Sequence, residues 1–259
     1  MNAKYFLLIV LLIHPFVSAT GQDPEIQKVK VIAHRGGIVP GYPENTLSAF
    51  QRSTDLEVDY VELDLRATKD GEIVVIHDET LDRTTNGIGL VADYTLKELK
   101  KFDAGSGQSI PTLEEVLDLV SGSDVKLLFD IKLNKNLDAE QILERVRKFD
   151  MTSNIIIGVR SLEDLGKFHE INPKLRTLGF LNAVDQIDDF VKNGIDIIRL
   201  KPTWISENPS LISSIHNGNK GVWITVGYLS DAKLKAIIYT GVDGIIYDDP
   251  EKLQQVMMK

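Results

Sequence analysis

One rhythm restricts this chain more than any other feature. From Lys126 onward, short apolar runs of strand length alternate with amphipathic runs of helix length. Residues 126–133, 154–159, 175–180, 196–200, 222–226 and 244–247 read as strands. The segments 138–149, 161 onward, about 184–193, 209–216, 230–239 and 250–257 read as helices. Two more strands lie upstream, at 29–33 and 60–65. The first is followed by a helix that opens at Pro43-Glu44-Asn45-Thr46 and runs to about Asp55. Such alternation predicts a parallel sheet, and roughly eight units predict closure into a (β/α)8 TIM barrel. An open doubly wound sheet is the competing arrangement. The 259 residues fit one domain of this kind, since α/β barrels reach about 250 residues.

Two segments break the rhythm. Lys69-Asp70-Gly71 is a hairpin signal, so 72–76 should return antiparallel to the acidic strand and deliver His77-Asp78. Residues 79–110 carry Gly87, Gly89, Gly105 and Gly107, with a weak helical piece at 96–102. They are too long for an ordinary connection and read as a functional insertion or lid. Thr112 is then the expected N-cap of the next helix, with Glu115 completing a capping box.

The N-terminus reads as an address. Lys4 precedes an apolar run at 5–13, then Pro15 and the small residues Val17-Ser18-Ala19. This is the pattern of a signal peptide over about 1–19, followed by a linker at 20–29 and the barrel at 30–259. The expectation is export, to a periplasm or the medium, with no stable membrane anchor after cleavage. A retained anchor is the alternative. There is no cysteine, so neither a lipidated cysteine nor a disulfide is available, and stability must come from the core. The net charge of −9 argues against nucleic acid as a partner. It leaves an anionic small molecule open, because a bound cation dominates the field of a small site.

The strand Tyr60-Val61-Glu62-Leu63-Asp64-Leu65 places two acids on one face, since side chains two apart share a side. Paired carboxylates in a barrel interior repel and resist desolvation. A cation between them resolves that conflict, whereas a solvated edge strand would avoid it. In such barrels the functional groups gather at the C-terminal ends of the strands. Polar residues expected there are His34, Arg35, Glu62, Asp64, His77, Asp130, Lys132, Trp223 and Thr225. Three carboxylates without cysteine make an oxygen-rich site suited to Mg²⁺ or Ca²⁺. Arg35 and Lys132 suit a phosphate, and two histidines suit general acid–base work on it. Each also has a plainer reading: a packed histidine, an Asp130–Lys132 ion pair, a core tryptophan.

Ala33-His34-Arg35-Gly36, Pro43-Glu44-Asn45-Thr46, Val61-Glu62-Leu63-Asp64, Val75-Ile76-His77-Asp78 and Leu81-Asp82-Arg83-Thr84-Thr85-Asn86-Gly87 together resemble the glycerophosphodiester phosphodiesterase family. Ile110-Pro111-Thr112-Leu113-Glu114-Glu115-Val116 and Gly241-Val242-Asp243-Gly244-Ile245-Ile246 fit the same pattern. The resemblance implies a TIM barrel that hydrolyses glycerophosphodiesters to glycerol 3-phosphate and an alcohol with one divalent cation. By position, it makes Glu62, Asp64 and Asp130 the metal ligands and His34 and His77 the acid–base pair. Arg35, Asn45, Lys132 and Trp223 become substrate contacts. It further implies a cyclic phosphate intermediate, and an insertion at 79–110 that caps the glycerol end. Three positions depart from the pattern: Asp130 in place of glutamate, Gly227 in place of asparagine, and Tyr247 in place of threonine. A related phosphodiesterase acting on lysophospholipids and a non-catalytic phosphodiester-binding barrel are the alternatives.

Overall fold

A computed structural model describes residues 29–132 and 137–259. The signal peptide and nearly all of the linker expected at the N-terminus lie outside them. Nine strands form one sheet: β1 Lys30–Ala33, β2 Tyr60–Ala67, β3 Ile73–Val75, β4 Lys126–Ile131, β5 Ile155–Val159, β6 Arg176–Gly179, β7 Ile197–Leu200, β8 Gly221–Val226 and β9 Gly244–Tyr247. Their order is β1-β9-β8-β7-β6-β5-β4-β2-β3, and β1 also pairs with β2. All pairs are parallel except β2–β3, so eight strands close a barrel and β3 is the predicted antiparallel extra. The closing seam is short, with Ile32 opposite Tyr60 and Ala33 opposite Val61. The open doubly wound sheet is excluded.

Strand parity sorts the side chains as a pleated barrel requires. Val61, Leu63 and Leu65 of β2 face outward into the large core between barrel and helices, together with Val31, Ala33, Leu127 and Phe129. Ile32, Tyr60, Leu128, Ile156, Leu178 and Trp223 fill the barrel's interior. Trp223 occupies the space a side chain at Gly244 would need, since a Cβ there would lie 2.8 Å from the indole. That fit explains glycine at the start of β9.

The connections follow local chemistry. Thr46 caps α1 (Leu47–Asp55) by accepting from the Ala49 amide. Thr112 and Glu115 make the predicted capping box of α3 (Leu113–Val120), after α2 (Leu96–Leu99). Helices α4 (Ala139–Lys148), α5 (Leu162–Ile171) and α6 (Ile187–Lys192) cover the next strands. One helix escaped the sequence reading: α7 (Pro202–Glu207) precedes α8 (Leu211–Asn217). Pro202 there is a helix start rather than a break, because the first helical turn needs no amide hydrogen. Helices α9 (Asp231–Ile238) and α10 (Pro250–Met257) complete the ring.

The insertion has a core of its own. Leu81, Val91, Leu99, Ala104 and Ile110 pack on Val74 and Ile76 of the hairpin arm. It is therefore seated on the β2–β3 side of the barrel mouth and turns most of its apolar side chains inward. Its α-helix is shorter than the sequence suggests, ending at Leu99.

Candidate active site

The acids of β2 arrive where parity places them. Glu62, Asp64 and Asp130 are all buried, and each offers a carboxylate oxygen within 4.8 Å of the others. β2 and β4 run in register with Asp64 opposite Asp130, which makes this convergence a property of the sheet. Burial, then the charge of Asp64, push the Glu62 carboxyl up to about 8. Protein groups alone thus leave Glu62 short of positive charge. Three buried oxygen donors in that state fit a hard divalent cation.

Arg35 and Asn45 organise this cluster through their backbones. Both adopt left-handed conformations, φ 50° and 56°, which cost a non-glycine residue about 1 kcal/mol or more. The turn aims the Arg35 amide at Glu62 (2.7 Å). The Arg35 side chain reaches Glu44 at 2.7 Å and lies 3.5 Å from Asp64. Asn45 donates to Asp64 at 2.8 Å and is 4% exposed. Asn45 thus contacts Asp64 and orients it, a role beyond the substrate contact expected of it. Lys132 contacts Asp64 at 3.0 Å and also pairs with Asp130. Arg160, which the sequence reading missed, grips Asp130 through both terminal nitrogens, at 2.5 and 2.9 Å. Burial would raise the Asp130 carboxyl, but these two cations outweigh it and hold it below the ordinary range.

The histidines come from the strands on either side of β2. His34 follows β1, and its Nδ1 lies 2.6 Å from Asp248, just past β9. Burial works to lower the His34 pKa, yet the Asp248 hydrogen bond and the charge of Glu62 prevail, so it lies above 6.5. His77 follows β3, and its Nδ1 lies 2.6 Å from Asp78. Arg66 holds the His77 carbonyl with two hydrogen bonds, 3.0 and 2.8 Å. Asp78 is itself tied to Arg83 of the insertion (2.6 Å), whose guanidinium also bonds both oxygens of Glu44 at 2.8 Å. Arg83, with His77 adding to it, holds the Asp78 carboxyl far below its usual range. With its Nδ1 on a carboxylate, each imidazole presents Nε2 outward.

Trp223 is not brought to this cluster. It is 3% exposed, and its ring meets Tyr60 edge-on at 5.0 Å. Tyr60 opens β2, so this contact lies toward the far end of the barrel from Asp64. The substrate contact expected of Trp223 is corrected to core packing. Sequence reasoning also missed Asp248, Glu44, Asp78 and Arg83. Glu44, Asp78 and Arg83 stood inside quoted motifs, but their partners lie up to 39 residues away and carry no local pattern.

Residues 34–252 match the model of the glycerophosphoryl diester phosphodiesterase family. The chain belongs to that family. A glycerophosphodiester phosphodiesterase of Caldanaerobacter subterraneus subsp. tengcongensis is 37% identical over 245 residues, covering 90% of this chain and 99% of the relative. The crystal structure of a glycerophosphoryl diester phosphodiesterase from Parabacteroides distasonis superposes with a TM-score of 0.77 at 29% identity, covering 90% of this chain and 87% of the other. A phosphodiesterase of Oleispira antarctica, solved in complex with the product sn-glycerol-3-phosphate, shares the fold at a TM-score of 0.76 and 22% identity, covering 89% and 97% of the two chains. Family membership makes the activity here that of a phosphoric diester hydrolase.

Proposed function

We propose that the chain hydrolyses glycerophosphodiesters to glycerol 3-phosphate and an alcohol by two-histidine acid–base catalysis, with one Mg²⁺ or Ca²⁺ held by Glu62, Asp64 and Asp130. The observation that carries this reading is the pairing of each histidine with its own carboxylate on strands flanking the acidic β2. A divalent ion bound there would supply positive charge to a phosphoryl oxygen and to the attacking hydroxyl.

The steps proposed for the side chains are those that the family resemblance implies. One imidazole Nε2 takes the proton of the substrate's own glycerol hydroxyl as that oxygen attacks phosphorus. The other donates a proton to the departing alcohol, leaving a cyclic phosphate. Water then opens the ring with the two roles exchanged. Asp248 and Asp78 fix the tautomers and stabilise each imidazolium in turn. Arg35 and Lys132 steady the phosphoryl charge.

The leader-like 1–19 supports export, with the reaction run outside the cytoplasm. The same expectation includes no anchor after cleavage. Among the described residues no helix is long and apolar enough to cross a membrane.

The deciding experiment measures glycerol 3-phosphate released from glycerophosphocholine and glycerophosphoethanolamine. It is run with Mg²⁺, with Ca²⁺ and after chelation, for the parent chain, His34→Ala and His77→Ala. Cation-dependent release lost in both variants establishes the reading and names the ion. Release that survives chelation, or that either variant retains, refutes the mechanism.

A further inference from the structure

The barrel mouth has two unlike halves. From β9 through β4 it carries the acids and histidines described above. From β5 to β7 it carries cations around one aromatic ring. The Arg160 guanidinium lies over Phe180 at 5.0 Å from the ring centroid, and that of Arg199 at 5.3 Å. Lys201, two residues further along, donates to the Asn182 carbonyl at 3.1 Å. Phe180 is held in place by a glycine: a Cβ on Gly158 would lie 2.4 Å from its ring and 2.7 Å from the Phe129 carbonyl.

The two arginines differ in their commitments. Arg160 is occupied by Asp130 and by the Ile131 carbonyl at 3.0 Å. Arg199 is half-buried, and its Nε is fully covered without an acceptor. Among the described residues no hydrogen bond or ion pair reaches its side chain. Asp130, the acid whose charge reaches it, is itself paired with Lys132 and Arg160. A covered donor with no acceptor is costly in a folded protein, and burial draws the Arg199 pKa down. A ligand anion would remove that cost.

We propose that Arg199, beside Phe180 and Arg160, forms the subsite for the alcohol arm of the diester, and that this subsite selects alcohols bearing an anionic group, a carboxylate or a second phosphate. The assignment rests on the hydrolase reading above. The insertion stands over the β2–β3 side of the mouth, so the arm that projects away from it lies against β5–β7. Cationic choline or ethanolamine arms meet like charge there. An anionic arm meets an unpaired fork of donors suited to carboxylate or phosphate.

Two matched substrate pairs isolate the added anion. Glycerophosphoserine differs from glycerophosphoethanolamine by a carboxylate, and bis(glycerophospho)glycerol differs from glycerophosphoglycerol by a second glycerophosphoryl group. For the full chain, the anion should raise kcat/KM about tenfold in at least one pair, mainly through KM. The responding pair names the anion. Arg199→Gln should bring that ratio to within about twofold of one, while Arg199→Lys keeps part of it. Its melting temperature should not fall below that of the parent, because an unpaired charge has been removed. A parent ratio of one or less in both pairs overturns the proposal. So does an equal loss on both members of each pair in Arg199→Gln, or a collapse of its melting temperature. If the parent hydrolyses none of the four, the hydrolase reading has failed separately. Calorimetry with O-phosphoserine and phosphoethanolamine then judges Arg199 alone: tighter phosphoserine binding by the parent than by Arg199→Gln supports the subsite, and equal binding refutes it.

Discussion

His34 and Asp248 are 214 residues apart and meet at 2.6 Å across the β1–β9 seam. Those strands pair over four residues, Lys30 to Ala33 against Gly244 to Tyr247, so the contact is built by sheet register. Asp248 thereby becomes a positioning residue for one of the two histidines.

Asp248→Asn should lower kcat by about tenfold or more, within the range general acid–base catalysis contributes, with little change in KM. The His34 pKa lies above 6.5 partly because of this hydrogen bond, so the pH–rate limb that belongs to His34 should move to lower pH in the variant. The stability this pair contributes is fully present below 6.5 and is lost as the pH rises through the folded-state value. Titrating the parent and the variant by NMR of the imidazole, beside pH–rate profiles, checks both statements. An unmoved limb would remove Asp248 from this role.

Glu62 makes the cation compete with a proton. With its carboxyl pushed up to about 8, the cation-free protein carries a proton there at pH 7, and binding a divalent ion must release it. Apparent affinity for Mg²⁺ or Ca²⁺ should therefore climb with pH until about 8 and level off. Calorimetry in buffers of different ionisation enthalpy counts the released protons. The folded state holds this proton between 4.5 and about 8 where the unfolded chain does not. Stability of the cation-free protein thus falls with rising pH across that window. Glu62→Gln should flatten this fall and abolish the rise in melting temperature on adding the cation.

His77→Ala and His34→Ala should each reduce turnover by at least about a hundredfold, with melting temperatures close to the parent's. Both side chains sit at the rim, 33% and 20% exposed, and contribute little to packing. A large thermal loss would instead place them among the structural residues.

Much of this was legible from residues alone. The strand–helix rhythm needs only periodicity, and Glu62 with Asp64 needs only the two-residue repeat of a strand. Asp130 and Lys132 were predictable for the same reason. The depth of Trp223 and the partner of Asn45 were not readable, because parity tells which side of a strand a residue faces, not how high in the barrel it sits or which neighbour takes its amide. Asp248, Arg160 and Arg199 were invisible as partners: their contacts follow from which strands lie side by side, which no local pattern states. The insertion's length was readable. Its anchoring through Arg83 to Glu44 and Asp78 was not.

Arg83→Ala tests that anchor. The side chain is 48% exposed, so its ion pairs should contribute about 1 kcal/mol or less to stability. Its effect on activity should be larger, a several-fold loss in kcat/KM, because Asp78 and Glu44 lose the group that fixes His77 and Arg35. Protease susceptibility of the 79–110 segment should rise in parallel. Unchanged kinetics with increased cleavage would separate the anchor from the chemistry.

The β1–β9 seam also sets a timetable. A histidine from the first strand is completed by an aspartate beyond the last, so no partial chain can hold a finished site. Contacts of such sequence separation form late in folding. A chain emerging during synthesis therefore lacks the His34–Asp248 pair until its final strand closes the ring, and that contact becomes a report of completed folding.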